Sequence, residues 1–477
     1  MSFLSWLRNR PLNPSAQGRA QRRPAVPRFR PQLEMLEARN LPSTYSAATA
    51  SDLIADINAA NNAGGTNTIT LTAPTTSPYV LTAVNNTTNG ANGLPVISGG
   101  GKKLAADNLT IVGNGDTIER STASGTAAFR LFDVASGGSL TLESVTLQGG
   151  LAYGSGAAAD GGAIYNQGTL TLSGVAVQGN TAQGSDGSGV VKINKKTYVA
   201  QPGADAAGGG IWSSGTVTLE GGTTLGGTLS GQGNRALGGR GASSNGLASG
   251  AAGGNAFGGG LYLTGGSVTV SNAVVAGNLA LGGAGGSHAA FTGNGGAGGT
   301  SSGGGLYMTG GTLVMNADTV QSNRAQGGIG GEAPYAGFAG VGGNSSGGGI
   351  CIATAHSALL SNVDLVSNVV QGGTGGYSNG GGAYGGNAFG GGLYVGGGTV
   401  TLTNDTVTGN AATGGYGGAG NFPTTPHDGA AGGAGIYIAS GAKVSLDSYT
   451  VANTTSNYDY SDGFSKEDDI DGSYTLV

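Results

Sequence analysis

From residue 161 onward, apolar and polar positions alternate in short runs that return at a nearly fixed spacing. Thr169-Leu170-Thr171-Leu172 and Thr399-Val400-Thr401-Leu402 set Leu or Val on one face and Thr on the other. That is the period of a half-buried strand. Ahead of each run stands the element Gly-Gly-small-Ile/Leu-aromatic. It spans 161–165, 208–212, 258–262, 303–307, 347–351 and 390–394, with an altered copy at 433–437. Its fifth position advances by 47, 50, 45, 44, 43 and 43 residues. Behind each run comes an apolar residue, two variable residues and an Asn: Val177 to Asn180, Val275 to Asn278, Val320 to Asn323, Leu365 to Asn368 and Val407 to Asn410. Asn234 holds the place in a stretched second copy, and Asn453 is assigned to it in the last.

Short strands with glycine turns at a fixed period describe the rungs of a parallel β-helix. The expected fold class is all-β, a single-stranded parallel β-helix of three strands per rung, with seven regular rungs over 161–455. Looser strand patterns at Thr68–Leu71, Leu109–Val112, Leu131–Val134 and Leu140–Leu142 make 67–160 the irregular first rungs. At the strand spacing the rod is about 45 Å long. Ser51–Ala63 reads as a short helix capping the open end (region 45–66), with Ser51 as N-cap and Asp52 in the first turn. The repeated Asn reads as a turn residue stacked on its equivalents. Together the two motifs resemble the Gly-Gly-Ala-Ile and Phe-x-x-Asn repeats of polymorphic outer-membrane proteins and related right-handed β-helix surface proteins. Here Val or Leu stands where that family has Phe. The resemblance implies a right-handed coil and a place at the cell surface.

Each rung needs about 25 residues of a period near 45. The excess is a glycine-rich insert, such as 282–302, 327–346 or 372–387, leaving after the same strand each time. The inserts are expected to form a fringe along one edge, too polar and glycine-rich for a core of its own. Glycine supplies 102 of the 477 residues and charged residues only 9%, against about 25% in ordinary domains. So much glycine excludes a helix-rich enzyme. The glycines show no three-residue period over the chain and there are only 13 prolines, which argues against collagen.

Residues 1–44 form a basic leader, expected to be disordered, with eight of the 20 Lys and Arg residues before position 41. Its Leu33-Glu34-Met35-Leu36-Glu37-Ala38-Arg39-Asn40-Leu41-Pro42-Ser43 resembles the Leu-Glu-x-Leu-Glu-x-Arg-x-Leu-Pro-Ser leader of large exported bacterial surface proteins. That resemblance implies export to the surface or medium. The remaining chain carries 12 basic and 23 acidic side chains, a poor match for phosphate backbones, so nucleic acid is not an expected partner. No apolar run is long enough for a transmembrane helix. No barrel-like region follows the repeats, so attachment through one is not expected. Cys351 is the one cysteine, which excludes an intrachain disulfide.

If Ile164 and its equivalents point inward, Tyr165, Trp212, Tyr262, Tyr307, Tyr394 and Tyr437 form an outward row interrupted by Cys351. Such a row either stacks on sugar rings of a polysaccharide or is a covered ladder stiffening the sheet; the second reading is preferred. A polysaccharide lyase or hydrolase would need clustered carboxylates, often with a basic partner, that break the repeat. Asp318, Asp364 and Asp405 instead recur with it. His288, His356 and His427 lack metal-ligand spacing. No catalytic residue, metal or cofactor is assigned. The acidic end (456–477) reads as a solvated tail over the last rung sooner than a calcium site. Thr-x-Thr ranks fit an ice-binding solenoid at 169/171, 216/218 and 399/401 but break at Thr312/Val314 and Lys443/Ser445. The expected role is therefore structural or adhesive and non-catalytic, outside the cell.

Overall fold

The computed structural model describes residues 42–477 except 101–106, 155–157, 193–197, 247, 291–292, 336, 355–356, 380, 421–426 and 462. The leader up to Leu41, and with it most of the export motif, lies outside the described residues, as does His356. Asn40–Val477 is one compact unit, 42% strand and 5% helix over the described chain. It winds as a right-handed parallel β-helix.

A regular coil has five short strands, not three. One coil runs through Ala256–Phe257, Leu261–Leu263, Ser267–Ser271, Val274–Ala276 and Leu279–Leu281. Each strand stacks on its equivalents to build five sheets of seven, nine, twelve, ten and nine strands, parallel throughout except for one antiparallel strand, Phe464–Glu467, at the end of the last. The two nine-stranded sheets are called here the aromatic sheet (through Leu261–Leu263) and the exit sheet (through Leu279–Leu281). The sequence pattern located the longest strand of each coil. Two- and three-residue strands between glycines are too short to show a period of two.

Pairing is in register along the whole stack, for example Ile164 with Ile211 and Leu170 with Val217. Leu170, Leu172, Ile164, Val177 and their equivalents are fully buried in one apolar column. The paired glycines have separate causes. Gly258 sits at φ +59°, a left-handed bend that side-chain-bearing residues resist. At Gly259 an added Cβ would collide with the carbonyl oxygen of Gly304 in the next coil.

Both ends differ from expectation. Ser43–Ala47 is already a strand, pairing with 67–71 at the edge of the twelve-stranded sheet, so the leader stops earlier than residue 44. The helix follows it as Ala50–Ala63, with Thr49 as the N-cap accepting from the Asp52 amide at 3.2 Å. Ser51 lies inside the helix because Thr49, two residues earlier, is the residue with extended backbone and takes the Asp52 amide. Leu53, Ile57 and Ala60 enter the core. The acidic end covers the last coil, as expected, but as paired strands and not as a solvated tail. Ile470–Asp471 and Thr475–Leu476 add strands to the aromatic and twelve-stranded sheets. With twelve strands and eleven spacings, the longest sheet rises about 53 Å, more than the 45 Å expected from ten rungs.

The repeated asparagines form one buried ladder. In Asn180, Asn234, Asn278, Asn323, Asn368, Asn410 and Asn457, Nδ2 and the backbone amide both donate to the next side chain's Oδ1. From Asn323 these distances are 3.0 and 3.1 Å, and its Nδ2 also donates to the Val275 carbonyl at 2.9 Å. The last acceptor is Asp469, 2.8 Å from Asn457 Nδ2. Asn453, which the spacing selected, instead ends a five-residue helix, Ser448–Ala452, whose insertion shifts the ladder position to Asn457.

Asp318 and Asp405 occupy one register position and Asp364 the next, opposite Thr319 and Thr406. Asp318 accepts from the Ala273 and Asn316 amides at 2.8 Å each, and Asp405 accepts from Val363 at 2.7 Å. Asp364 is exposed. Burial pushes Asp318 up to about 6 and Asp405 up to about 7. Because these folded values lie above the unfolded one, the stability they confer is complete below about pH 4 and is lost as pH rises through them. The protein should therefore unfold at lower denaturant at pH 8 than at pH 5. Asp405→Asn should remove part of that slope and raise stability at pH 8 by about 2–4 kcal/mol. Urea titrations at the two pH values check this, and an unchanged slope would contradict it.

Candidate functional site

Two features leave the plain repeat: the aromatic row and the inserts. Tyr165, Trp212, Tyr262, Tyr307, Cys351, Tyr394 and Tyr437 do occupy one outward column in register. Tyr165 and Trp212 stack at 4.3 Å, Tyr262 and Tyr307 at 5.3 Å, and Tyr394 and Tyr437 at 5.4 Å. Phe257 stacks on Tyr307 at 5.1 Å, and Phe389 on Tyr437 at 4.6 Å. Both phenylalanines come from the seven-stranded sheet across the glycine bend, so outward side chains converge and this corner is concave. Each row residue is half-buried except Cys351, which is fully buried; burial pushes its thiol up. Many ring faces are taken by neighbouring rings, and stacking on a sugar requires a free face. Phe257 lies against Tyr262 and Tyr307, and Phe389 against Tyr437, so these rings cover part of the row.

The inserts are not a loose fringe. The exit and seven-stranded sheets face each other across small residues, Ala182, Ala206, Ala236, Ala256 and Ala280. The Leu/Ile core thus thins to an alanine neck, and beyond it to glycine. Each insert leaves as triplets and returns as triplets: Gly282-Gly283-Ala284-Gly285-Gly286-Ser287 out, Gly295-Gly296-Ala297-Gly298-Gly299 back. Hydrogen bonds repeat every third residue. Gly282, Gly285 and His288 amides donate to Gln326, Ile329 and Glu332 in the next outgoing run, at 2.9, 2.8 and 2.8 Å. The second glycines cross between layers. Gly299 donates to Gly283, Gly328 to Gly299 and Gly343 to Gly328, each at 2.8 Å.

A three-residue turn with no internal hydrogen bonds is the polyproline-II helix. Two layers of such helices, one outgoing and one returning, make a thin fin. Polar backbone groups are satisfied between helices, so the fin orders without an apolar core. This corrects both the expected fringe and the reading that the glycines lack a period of three. The period exists inside the inserts and is lost when glycines are counted through the strands.

The first two residues of each triplet are committed to the lattice, and the third faces out. On the outgoing layer these include Ile329 and Tyr416, 55% and 63% exposed. On the returning layer Ala297, Val341, Tyr384 and His427 share a column, since Gly298, Gly342 and Gly385 donate to Val341, Tyr384 and His427. Val341 and Tyr384 are 46% and 59% exposed, and Phe338 one triplet away is 70% exposed. His427 lies 6.1 Å from the Tyr384 ring, whereas His288 is buried in the fin. The row thus holds no fully exposed ring, whereas the fin holds several; further exposed aromatics, Tyr153 and Phe464 among them, lie outside both.

On the twelve-stranded sheet, Thr169/Thr171 and their equivalents form two outward columns, the Thr171 column being broken by exposed Val314 and Leu359. Among the described residues, no three His, Cys, Asp or Glu side chains are placed to share a metal ion, and no helix is long and apolar enough to cross a membrane. Comparison with family models, curated proteins and solved structures found no match.

Proposed function

We propose that this chain is an exported, non-catalytic surface protein with a structural or adhesive role, and that its contact surface is the returning face of the fin. The leader motif and the two repeat motifs, with their resemblance to polymorphic outer-membrane and related surface proteins, support the location. The single observation that carries the contact surface is the flat rank of Phe338, Val341 and Tyr384, whose side chains stand out from a backbone lattice that needs none of them. Such positions are free to vary without loss of the fin. The partner is a polysaccharide: the Phe338 ring and the face of Tyr384 turned away from His427 stack on pyranose rings, and beside them Asn344 and Asn387, whose Oδ1 atoms accept from lattice amides, keep their Nδ2 groups to donate.

The test is retention of the full chain on an immobilised cell-wall and capsular polysaccharide array. Phe338→Ser/Tyr384→Ser should lower retention at least tenfold, while Tyr262→Ala/Tyr307→Ala, which opens the covered ladder, should leave it within about twofold. The reverse ranking would return the contact to the aromatic row. Equal retention of all forms would remove both surfaces from the account.

A further inference from the structure

The coil with the stretched spacing carries a groove. Eight residues stand between Leu225 and Asn234, where the next coil has only Ala276 and Gly277 between Val275 and Asn278. The surplus stands out from the turn as a lip, residues 227–233. The coils on either side hold its base. The Gly179 amide donates to the Gln232 carbonyl at 2.8 Å, and a Cβ at Gly277 would collide with the carbonyl oxygen of Gly227. Within the lip, the Gln232 amide donates to the Leu229 carbonyl at 3.1 Å, and Gln232 Oε1 accepts from the Leu229 amide at 3.3 Å. Between the lip and the exit sheet lies a groove of about 540 Å³.

Three kinds of group line it. Arg235, exposed, stands between Thr181 and Leu279 in the outward column of the exit sheet, and all three line the groove. Among the described residues nothing accepts from its guanidinium, by hydrogen bond or ion pair. The hydroxyls of Thr181, Thr228 and Ser230 likewise have no partner among those residues. Leu229, 69% exposed, and Leu279 supply apolar surface.

Charge and size select the ligand class. No carboxylate lines the groove. From Leu151 to Tyr458 the same outward column holds Arg235 and Arg324 and no acid, although beyond residue 40 the chain carries 23 acidic side chains against 12 basic. A free guanidinium offers two parallel N–H donors to one carboxylate. A bare anion would leave the hydroxyls and leucines unused, in a volume within the range of small-molecule sites, about 300–1,000 Å³. An acidic sugar uses all three kinds of group. Its carboxylate pairs with Arg235, its hydroxyls exchange hydrogen bonds with the serine and threonine hydroxyls, and its C–H face covers leucine surface.

We infer that this groove binds a uronate residue of an acidic polysaccharide, with the Arg235 guanidinium donating to both carboxylate oxygens and the lip meeting the sugar ring. This names the class of polysaccharide and rests on the polysaccharide reading, yet it uses none of the fin residues.

The test is calorimetric titration of the full chain with hexagalacturonate, hexamannuronate, hyaluronan hexasaccharide and hexaglutamate. One of the three uronate hexamers should bind saturably, and its fully methyl-esterified form at least tenfold more weakly. Arg235→Gln should lower that affinity at least tenfold. Arg324→Gln removes the same charge two strands away, about 10 Å along the column and outside the groove, and should change the affinity by less than about threefold. Equal losses in the two variants would reduce the groove to a diffuse positive patch and overturn the assignment. Hexaglutamate binding as tightly as the best uronate would overturn it in favour of an acidic peptide, and no binding by any uronate would overturn it outright. Phe338→Ser/Tyr384→Ser should keep uronate binding while losing array retention, so failure of the fin and failure of the groove are read separately.

Discussion

Asn323→Ala is expected to be the most destabilising single substitution away from the chain ends, by about 3–5 kcal/mol. The side chain is fully buried and accepts from both the backbone amide and Nδ2 of Asn278, at 3.1 and 2.9 Å. Its own Nδ2 satisfies the Val275 carbonyl. Removal strands two buried donors and one acceptor at about 1–3 kcal/mol each, with partial relaxation toward other partners. Asn323→Asp should be no milder, because a second acceptor would face the Val275 carbonyl and Asn368 Oδ1. The nearby Asn316, exposed and bonded only at the surface, is the control and should change stability by less than about 0.5 kcal/mol when made Ala. Equilibrium urea unfolding checks the pair. If both variants unfold with the wild type, the ladder carries no weight in the fold.

Gly328→Ala should damage the fin while Ile329→Ala next to it should not. An added Cβ at Gly328 would collide with the carbonyl oxygen of Gly283 in the preceding coil, and Gly328 has no positive φ to explain the glycine otherwise. The lattice must open locally, at about 1–3 kcal/mol. Ile329 points outward and is 55% exposed, so its truncation costs nothing structural. Limited proteolysis between residues 327 and 343 should speed up several-fold in Gly328→Ala alone. Equal protease sensitivity of the two variants would mean that the inserts are ordinary loops.

The coil itself was legible because it repeats. A Leu or Val alternating with Thr every 43–50 residues leaves few alternatives, and the Asn that follows marks a turn. Where the chain departs from its own period, that signal misleads. The helix at Ser448–Ala452 moves the last ladder position from Asn453 to Asn457, although nothing in the local pattern says so. The fin escaped because glycine is ambiguous: the same residue gives a left-handed bend at Gly258 and a close backbone approach at Gly328. Only the Gly-Gly-x triplets inside single inserts separate the two uses.

The aromatic row was placed correctly as a column, but the partial cover that Phe257 and Phe389 give it was not legible, because both lie in two-residue strands with no visible pattern. The contacts of buried Arg130 and Asp133 were invisible for a different reason: only the winding of the first coils sets these two beside Asn89.

The central claim is that the inserts are a packed two-layer fin which frees every third side chain for contact. Amide hydrogen exchange across residues 282–299, 327–343 and 372–386 tests it most directly. The account predicts a period of three: slow exchange at Gly282, Gly283, Gly285, Gly286, Gly327, Gly328, Gly330 and Gly331, and fast exchange at outward positions such as Ala284 and Ile329. Uniformly fast exchange through all three segments would contradict it and leave a β-helix with a fringe of unstructured glycine.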